Sequence, residues 1–213
     1  NGVSMGIHKG GYDEITYDIT DQLVGTGPQE IIVRVFDPTK DYGQPRGKQT
    51  TAPGGIMYTC VTGIWQTVWL EPVAPQNIAS IKITPDIDND ILKLTVNTEN
   101  ATGLTVKAFA KDASVQVAEI TGNANTELSI RIPNAKLWSP ENPFLYDLDI
   151  KLMSGNTVVD SVSSYFGMRK IALVRESPTP QIYLNNKPIY MMGPLDQGFW
   201  PDGLHTPPTY SAL

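Results

Sequence analysis

The chain has little of several features that define whole classes of protein. Its 213 residues include one cysteine, Cys60, and two histidines. A single cysteine excludes an internal disulfide and a cluster of thiolate metal ligands. No apolar run approaches the roughly 20 residues that a membrane-spanning helix needs, and no long run has apolar residues at helical spacing. The sequence therefore predicts neither a disulfide scaffold, nor a helical bundle, nor a membrane partner.

Concentrated positive charge is also missing. The chain has 16 Lys and Arg against 22 Asp and Glu, a net charge of -6, and its basic residues are scattered. Because binding to phosphates needs a concentrated basic face, we expect no nucleic-acid partner. No catalytic Ser-His-Asp pattern, phosphate-binding glycine loop or zinc spacing occurs. Residues 86–90 resemble the start of a calcium loop, but Ile91 and Asn97 stand where glycine and glutamate are needed. We predict no metal and no cofactor.

What is present is turn-rich and β-branched. The chain has 18 glycines and 17 prolines and many Val, Ile and Thr residues, a composition typical of an all-β protein. About seven short alternating strands over ~100 residues indicate an immunoglobulin-like β-sandwich. The strand predictions, separated by polar turns, are Ile78–Ile83, Leu92–Thr98, Leu104–Ala110, Val115–Ile120, Leu128–Ile132, Leu145–Leu152, Val158–Tyr165 and Lys170–Val174.

Before this sandwich the sequence predicts three further strands, which are separated by longer connections. Alternation at Ile15–Ile19 and a β-branched run at Ile31–Phe36 precede a strand at Gly63–Pro72. In that last strand Trp65 and Trp69 share one face, and we predict that both are buried in a core. The long loop before it, Asp37–Gly55, is rich in glycine and proline and is a candidate for function because such loops are uncommon in compact domains.

After the sandwich, the pattern changes again. Ile182–Leu184 and Pro188–Met192 flank Asn185-Asn186, a pair that tolerates left-handed backbone and predicts a hairpin turn. A loop rich in glycine, proline and aromatic residues follows.

Four segments, in order, resemble the glycoside hydrolase family 2, which contains β-galactosidases, β-glucuronidases and β-mannosidases. The first is His8–Tyr12 with Tyr17–Thr20. The second is Gly63-Ile64-Trp65-Gln66-Thr67-Val68-Trp69-Leu70-Glu71-Pro72. The third is Leu137-Trp138-Ser139-Pro140-Glu141-Asn142-Pro143-Phe144-Leu145-Tyr146. The fourth is Phe166-Gly167-Met168-Arg169-Lys170-Ile171 with Tyr183–Ile189. Together these matches span nearly the whole chain.

The resemblance implies a fragment of such an enzyme. It implies an all-β chain, with the C-terminal part of a sugar-binding jelly roll at residues 1–75 and an immunoglobulin-like sandwich at 76–175. Residues 176–213 would begin a catalytic (β/α)₈ barrel, which needs ~250 residues. The family implies a retaining hydrolysis of β-linked glycosidic bonds by two glutamates of later barrel strands. No catalytic residue is therefore expected here, and the chain alone should be inactive.

Candidate substrate contacts lie in the loop that would leave the first barrel strand, since barrels place their active sites at that face. We predict that Asp196, Trp200 and Asp202 bind substrate, with loop packing as the alternative role. A second candidate is the loop Gln44–Thr59. Asp147 and Asp149 lie two apart on one strand, ~7 Å from each other, but the apolar residues around them predict that they form the solvated face.

Two other classes of function stay open on the sequence. A stand-alone carbohydrate-binding module would bind sugar by itself, whereas a structural immunoglobulin-like module would not. The expected partner is a carbohydrate, bound as the substrate of the full-length enzyme. Unpaired strand edges would favour self-association, so a homo-oligomer is possible. The sequence leaves the compartment open, the periplasm and the extracellular space included.

Overall fold

The computed structural model describes residues 1–39, 41–175, 179–200 and 203–213. It has two compact units, one formed by Asn1–Trp69 with Asp196–Leu213 (unit 1) and one by Leu70–Leu195 (unit 2). In the described residues the only helical turns are two short 3₁₀ turns at Thr20–Gln22 and Tyr210–Ala212. The predicted all-β class is confirmed.

Unit 1 has little regular structure. Its paired strands in the described part are β1, Gln49–Thr50, and β2, Tyr58–Thr59, which run parallel. The strands predicted at Ile15–Ile19, Ile31–Phe36 and Gly63–Pro72 do not form. A strand is stable when a neighbouring strand accepts its backbone hydrogen bonds, and none pairs with these segments among the described residues.

The tryptophan segment of unit 1 also differs from the prediction in its burial. Trp69 is 63% exposed, and Trp65 is half-buried. The prediction that both rings lie in a core is wrong for Trp69. Trp65 instead packs edge-on against Tyr12, with ring centroids 5.5 Å apart.

Unit 2 is built around a sandwich of seven strands in two antiparallel sheets. Three strands pair in the order β3-β4-β7 and four in the order β6-β5-β8-β9. The strands are β3 Asn77–Asp86, β4 Ile91–Glu99, β5 Thr105–Asp112, β6 Val115–Asn123, β7 Glu127–Arg131, β8 Tyr146–Ser154 and β9 Thr157–Phe166. Seven of the eight strands predicted for this unit are confirmed in the sandwich, with their ends moved by a few residues. The eighth, predicted at Lys170–Val174, forms a strand that lies outside the sandwich, because its hydrogen-bonded partner is Gln181–Leu184.

Alternation along the strands determines which side chains fill the sandwich. Successive side chains of a strand point to opposite faces, and in β8 the buried positions are Tyr146, Leu148, Ile150 and Leu152. The facing sheet contributes Leu92, Leu94 and Val96 of β4, which are almost fully buried. These residues belong to one continuous hydrophobic core between the two sheets.

A small sheet follows the sandwich within unit 2. Its strands β10 Ile171–Val174, β11 Gln181–Leu184 and β12 Lys187–Pro188 are antiparallel neighbours. Asn185 and Asn186 connect β11 to β12 with φ of 51° and 65°, the left-handed values that asparagine tolerates. The predicted hairpin is confirmed, but its second arm ends at Pro188, whereas the prediction extended it to Met192.

Candidate functional site

Asp37 organises the start of the long loop Asp37–Gly55 in unit 1. Its Oδ1 accepts hydrogen bonds from the Thr39 backbone N–H at 2.8 Å and from Nε2 of Gln44 at 2.6 Å. Its Oδ2 accepts one from the Thr62 hydroxyl at 3.3 Å. Gln49, on β1, accepts the Val61 backbone N–H at 2.9 Å. The side-chain oxygens of Asp37 and Gln49 therefore hold this loop in place, as backbone hydrogen bonds between paired strands would do in a sheet.

The cavity beside Asp37 is too small for a sugar. Its volume is about 30 Å³, which is room for about one water molecule. The residues around it are Asp37, Thr39, Gln44, Pro45, Arg46 and Gln49.

Tyr58 joins this loop to the second candidate segment. Its hydroxyl donates to Oε1 of Gln197 over 3.0 Å. Its ring stacks on Phe199, with centroids 5.0 Å apart and planes at 21°. The two candidate loops predicted from the sequence thus meet within unit 1, through Tyr58 of residues 44–59 and through residues 197 and 199 of the second loop. We call Tyr58, Gln197 and Phe199 the Tyr58 cluster.

Trp65 makes a second link between the same parts of unit 1. Its indole N–H donates to the Gly11 backbone oxygen at 2.7 Å, and its ring lies edge-on to His205 at 6.0 Å. The Thr206 hydroxyl donates to the Trp65 backbone oxygen at 2.7 Å. Segment 196–213 is therefore tied to Trp65 as well as to Tyr58.

Two of the predicted substrate-binding residues, Asp196 and Trp200, lie at the edge of the Tyr58 cluster. Asp196 is exposed, and its Oδ1 accepts the Gly198 backbone N–H at 2.6 Å. Trp200 is half-buried and exchanges backbone hydrogen bonds with Leu204 at 2.8 and 3.0 Å. Asp202 lies outside the described residues. Contact of these three residues with substrate stays a prediction.

Tyr58 itself was not singled out by the sequence. It lies in the candidate loop, but its pairing with Gln197 spans 139 positions, and no local pattern signals so distant a contact. The only hint is that both loops are rich in aromatic and polar residues.

The paired aspartates of β8 lie on the outer face of the sandwich, as predicted. Asp147 is exposed, and Asp149 forms an ion pair with Lys111 and accepts the Ser163 hydroxyl at 2.9 Å. The hydrogen bonds from Lys111 and Ser163 hold the pKa of Asp149 below its ordinary value. A carboxylate stabilised in its ionised form is a poor general acid.

A charged contact fastens the β11–β12 turn to the sandwich. Nζ of Lys170 lies 2.5 Å from one oxygen of Asp88, and Nδ2 of Asn186 donates to the other at 2.7 Å. These two hydrogen bonds lower the pKa of the Asp88 carboxyl. Asn185 donates to the Trp138 backbone oxygen and accepts the Lys170 N–H, both at 3.0 Å.

A shallow groove of about 420 Å³ lies at the same end of the sandwich. One wall is Trp138, over whose ring the Arg169 guanidinium sits at 4.7 Å. The other lining residues are Ile83, Pro85, Leu145, Tyr165, Phe166 and Gly167.

Within the described residues, no group of three or more His, Cys, Asp or Glu side chains is placed to hold a metal ion. In the same part of the chain, no helix has the length and apolar character to cross a bilayer.

Among solved structures, the apo β-glucuronidase from Ruminococcus gnavus is 26% identical. The match covers 55% of this chain and 20% of that one, with a TM-score of 0.48.

Sequence relatives cover more of the chain. A protein from Formosa agariphila assigned as a β-glucuronidase is 30% identical over 91% of this chain and 23% of its own length. A β-galactosidase from Thermoanaerobacter pseudethanolicus is 23% identical over 91% of this chain and 26% of its own. The chain thus spans about a quarter of the length of these relatives. The model of glycosyl hydrolases family 2 matches residues 76–169, which form the sandwich, and this sandwich domain belongs to that family.

Proposed function

We propose that this chain is a non-catalytic part of a glycoside hydrolase that hydrolyses O-glycosidic bonds in β-linked carbohydrates. The reaction follows a retaining mechanism, and both catalytic carboxylates lie outside residues 1–213. The support is that the two relatives described above, named for β-glucuronidase and β-galactosidase activity, align with 91% of the chain. Both names describe the removal of a β-linked sugar.

We assign the residues of the chain to the three predicted domains. Residues 1–75 belong to a sugar-binding jelly roll, residues 76–175 form the sandwich, and residues 176–213 begin the catalytic barrel. The alignments support this division because they extend on both sides of the residues matched by the family model.

A retaining glycosidase needs two carboxyl groups about 5 Å apart across the scissile bond. The Asp147–Asp149 pair does not suit this role. Asp149 is held ionised by Lys111 and Ser163, so it would not serve as the acid, and Asp147 is exposed on the outer face of the sheet. This supports catalytic groups that lie elsewhere in the enzyme.

The part of the chain that we propose to touch substrate is the edge of the Tyr58 cluster. Asp196 and Asp202 would accept hydrogen bonds from sugar hydroxyls, and Trp200 would offer its ring to a sugar face. The single observation that carries this assignment is the contact of Tyr58 with Gln197 and Phe199. It holds the loop that carries Asp196 and Trp200 against residues 44–59.

The test compares the 213-residue chain with the complete product of its gene. Both are purified and assayed with aryl β-galactosides and aryl β-glucuronides. We expect hydrolysis by the complete product only. Hydrolysis by the 213-residue chain would overturn its non-catalytic role, and a complete product inactive on all β-glycosides tried would overturn the enzyme proposal.

A further inference from the structure

The outer face of the β6-β5-β8-β9 sheet contains a row of four paired residues without a carboxylate. Lys107 of β5 lies directly opposite Thr121 of β6 on one side and Lys151 of β8 on the other, and Lys151 lies opposite Ser161 of β9. Directly paired residues share one face of a sheet. The row therefore presents two ammonium groups in the middle and one hydroxyl at each end.

The two ammonium groups converge on one aromatic ring. Nζ of Lys107 lies 5.4 Å and Nζ of Lys151 lies 5.6 Å from the centroid of Phe109. Phe109 is half-buried and Lys151 is exposed. Cation–π attraction draws both lysines to the ring, which keeps two like charges close together.

Neighbouring acids have other partners. In the next row of the same face, Phe109 of β5 lies opposite Glu119 of β6 on one side and Asp149 of β8 on the other. Asp149 is engaged by Lys111 and Ser163, although its charge also acts on Lys151. Glu119 accepts a hydrogen bond from Gln116 at 3.1 Å.

The lysines that form ion pairs in the described residues are Lys93, Lys111, Lys136 and Lys170. Within that part of the chain, Lys107 and Lys151 have no carboxylate within salt-bridge distance.

Like charges directly opposite each other destabilise a sheet. Such breaks of a local rule are expected at functional or strained sites. An oxyanion between the two ammonium groups would remove the repulsion. The Phe109 ring adds an apolar surface of the kind that packs against a sugar ring.

We propose that Lys107, Phe109 and Lys151 form a binding site for the carboxylate or sulfate group of an acidic glycan. The charge of the ligand follows from the lysine pair, whereas its being a glycan rests on the proposed function. The site lies on the outer face of the sandwich and contains none of the residues that we propose as substrate contacts.

The test is titration of the 213-residue chain with three trisaccharides, followed by calorimetry and by amide NMR shifts. One carries carboxylates (trigalacturonate), one carries sulfates and one is uncharged. We expect binding of one or both charged sugars, weakened by salt, with shifts centred on Lys107, Phe109 and Lys151. Equal binding of the uncharged sugar would overturn the proposal, as would no binding of either charged one.

Matched variants locate the site. Lys107→Gln with Lys151→Gln should weaken the charged sugar at least about tenfold, the loss of roughly one charge-assisted hydrogen bond. Lys82→Gln with Lys187→Gln removes the same charge from exposed positions elsewhere and should leave the affinity unchanged. Equal affinity in the first pair of substitutions, or an equal loss in the second, would overturn the proposal.

One further variant separates ligand binding from sheet stability. Lys151→Glu should raise the Tm, because the new carboxylate pairs with Lys107, and it should also abolish binding of the charged sugar. If the lysine pair were purely structural, the wild-type chain would not bind the sugar, and the substitution would change the Tm alone. The glycosidase assay stays independent of these titrations. Activity without glycan binding overturns this proposal alone, and binding without activity overturns only the enzyme proposal.

Discussion

The hydroxyl of Tyr58 donates to Oε1 of Gln197 over 3.0 Å, across 139 positions of the sequence. The same ring stacks on Phe199, two residues further on. These contacts bring together the two loops that the sequence marks as candidates for substrate binding. They also give unit 1 an anchor in a region with almost no strand pairing.

The Tyr58–Phe199 stack should contribute measurably to the stability of unit 1. In a double-mutant cycle of Tyr58→Ala and Phe199→Ala, we expect a coupling of about 0.5–1.5 kcal/mol, as for other aromatic pairs. Tyr58→Phe keeps the stack and loses the hydrogen bond to Gln197, so it should cost only about 1 kcal/mol. Denaturant unfolding followed by tryptophan fluorescence measures both. Additive effects of the two alanines would contradict the stack.

Substitutions at the proposed substrate contacts should reduce kcat/KM in the complete enzyme. For Asp196→Asn and Trp200→Phe we expect losses of roughly tenfold, the effect of about 1.4 kcal/mol in transition-state binding. Trp69→Phe is the matched control, because Trp69 is exposed in the same unit and is not a proposed contact. If kcat/KM and the Tm are both unchanged in Asp196→Asn and Trp200→Phe, neither residue contacts substrate. Their role is then no more than loop packing.

The alternation in β8 predicts opposite outcomes for neighbouring residues. Leu148 is fully buried in the sandwich core, so Leu148→Ala should cost about 2–5 kcal/mol of unfolding free energy. Asp147→Ala changes the adjacent, exposed position and should stay within about 0.5 kcal/mol. Chemical denaturation of both variants checks this. Similar costs at the two positions would contradict the inside-outside assignment of the strand.

The ion pair of Asp149 should make stability depend on pH in one direction. Hydrogen bonds from Lys111 and Ser163 lower the pKa of Asp149 in the folded state, so its ionised form favours folding. That contribution is complete above the unfolded-state pKa and is lost as the pH falls through the lower, folded-state pKa. Asp149→Asn should therefore cost about 0.5–1 kcal/mol near pH 7.

The difference between the wild type and Asp149→Asn should shrink as the pH falls below about 4. Urea titrations at several pH values follow it, with Asp147→Asn as the control for removal of a carboxylate from the same strand. A difference that stays constant down to pH 2, or one that grows on acidification, would show that the charge of Asp149 is not the cause.

The sandwich could be predicted from sequence because its signals are local. In β8 and β4, apolar and polar residues alternate with period two, and the alternation alone indicates which face is buried. The hairpin turn of the small sheet is visible for a similar reason, since Asn185 and Asn186 accept the left-handed backbone that a tight turn requires.

Unit 1 was predicted less well because strand formation there depends on partners far away in the chain. The segment from Gly63 to Pro72 has the composition of a strand, yet it lacks a paired neighbour in the described residues, and Trp69 is exposed. Composition shows that a segment can be a strand, whereas pairing decides whether it is one.

The candidate site was predicted only as two separate loops. The sequence identified Asp196 and Trp200 by their residue types, but the hydrogen bond and the stack of Tyr58 are tertiary contacts with no periodic signature. The opposed lysines Lys107 and Lys151 were missed for the same reason, since the register that places them opposite each other is set by two neighbouring strands together.

The most direct test of the central claim is covalent labelling of the complete gene product with 2-deoxy-2-fluoro-β-glycosyl fluorides of galactose and glucuronic acid. These probes trap the glycosyl–enzyme intermediate of a retaining glycosidase, and peptide mass spectrometry then locates the label. We predict one labelled glutamate, in a peptide outside residues 1–213, on a product larger by a barrel of ~250 residues or more. A label within residues 1–213, or an unlabelled product near 23.3 kDa, would contradict the account.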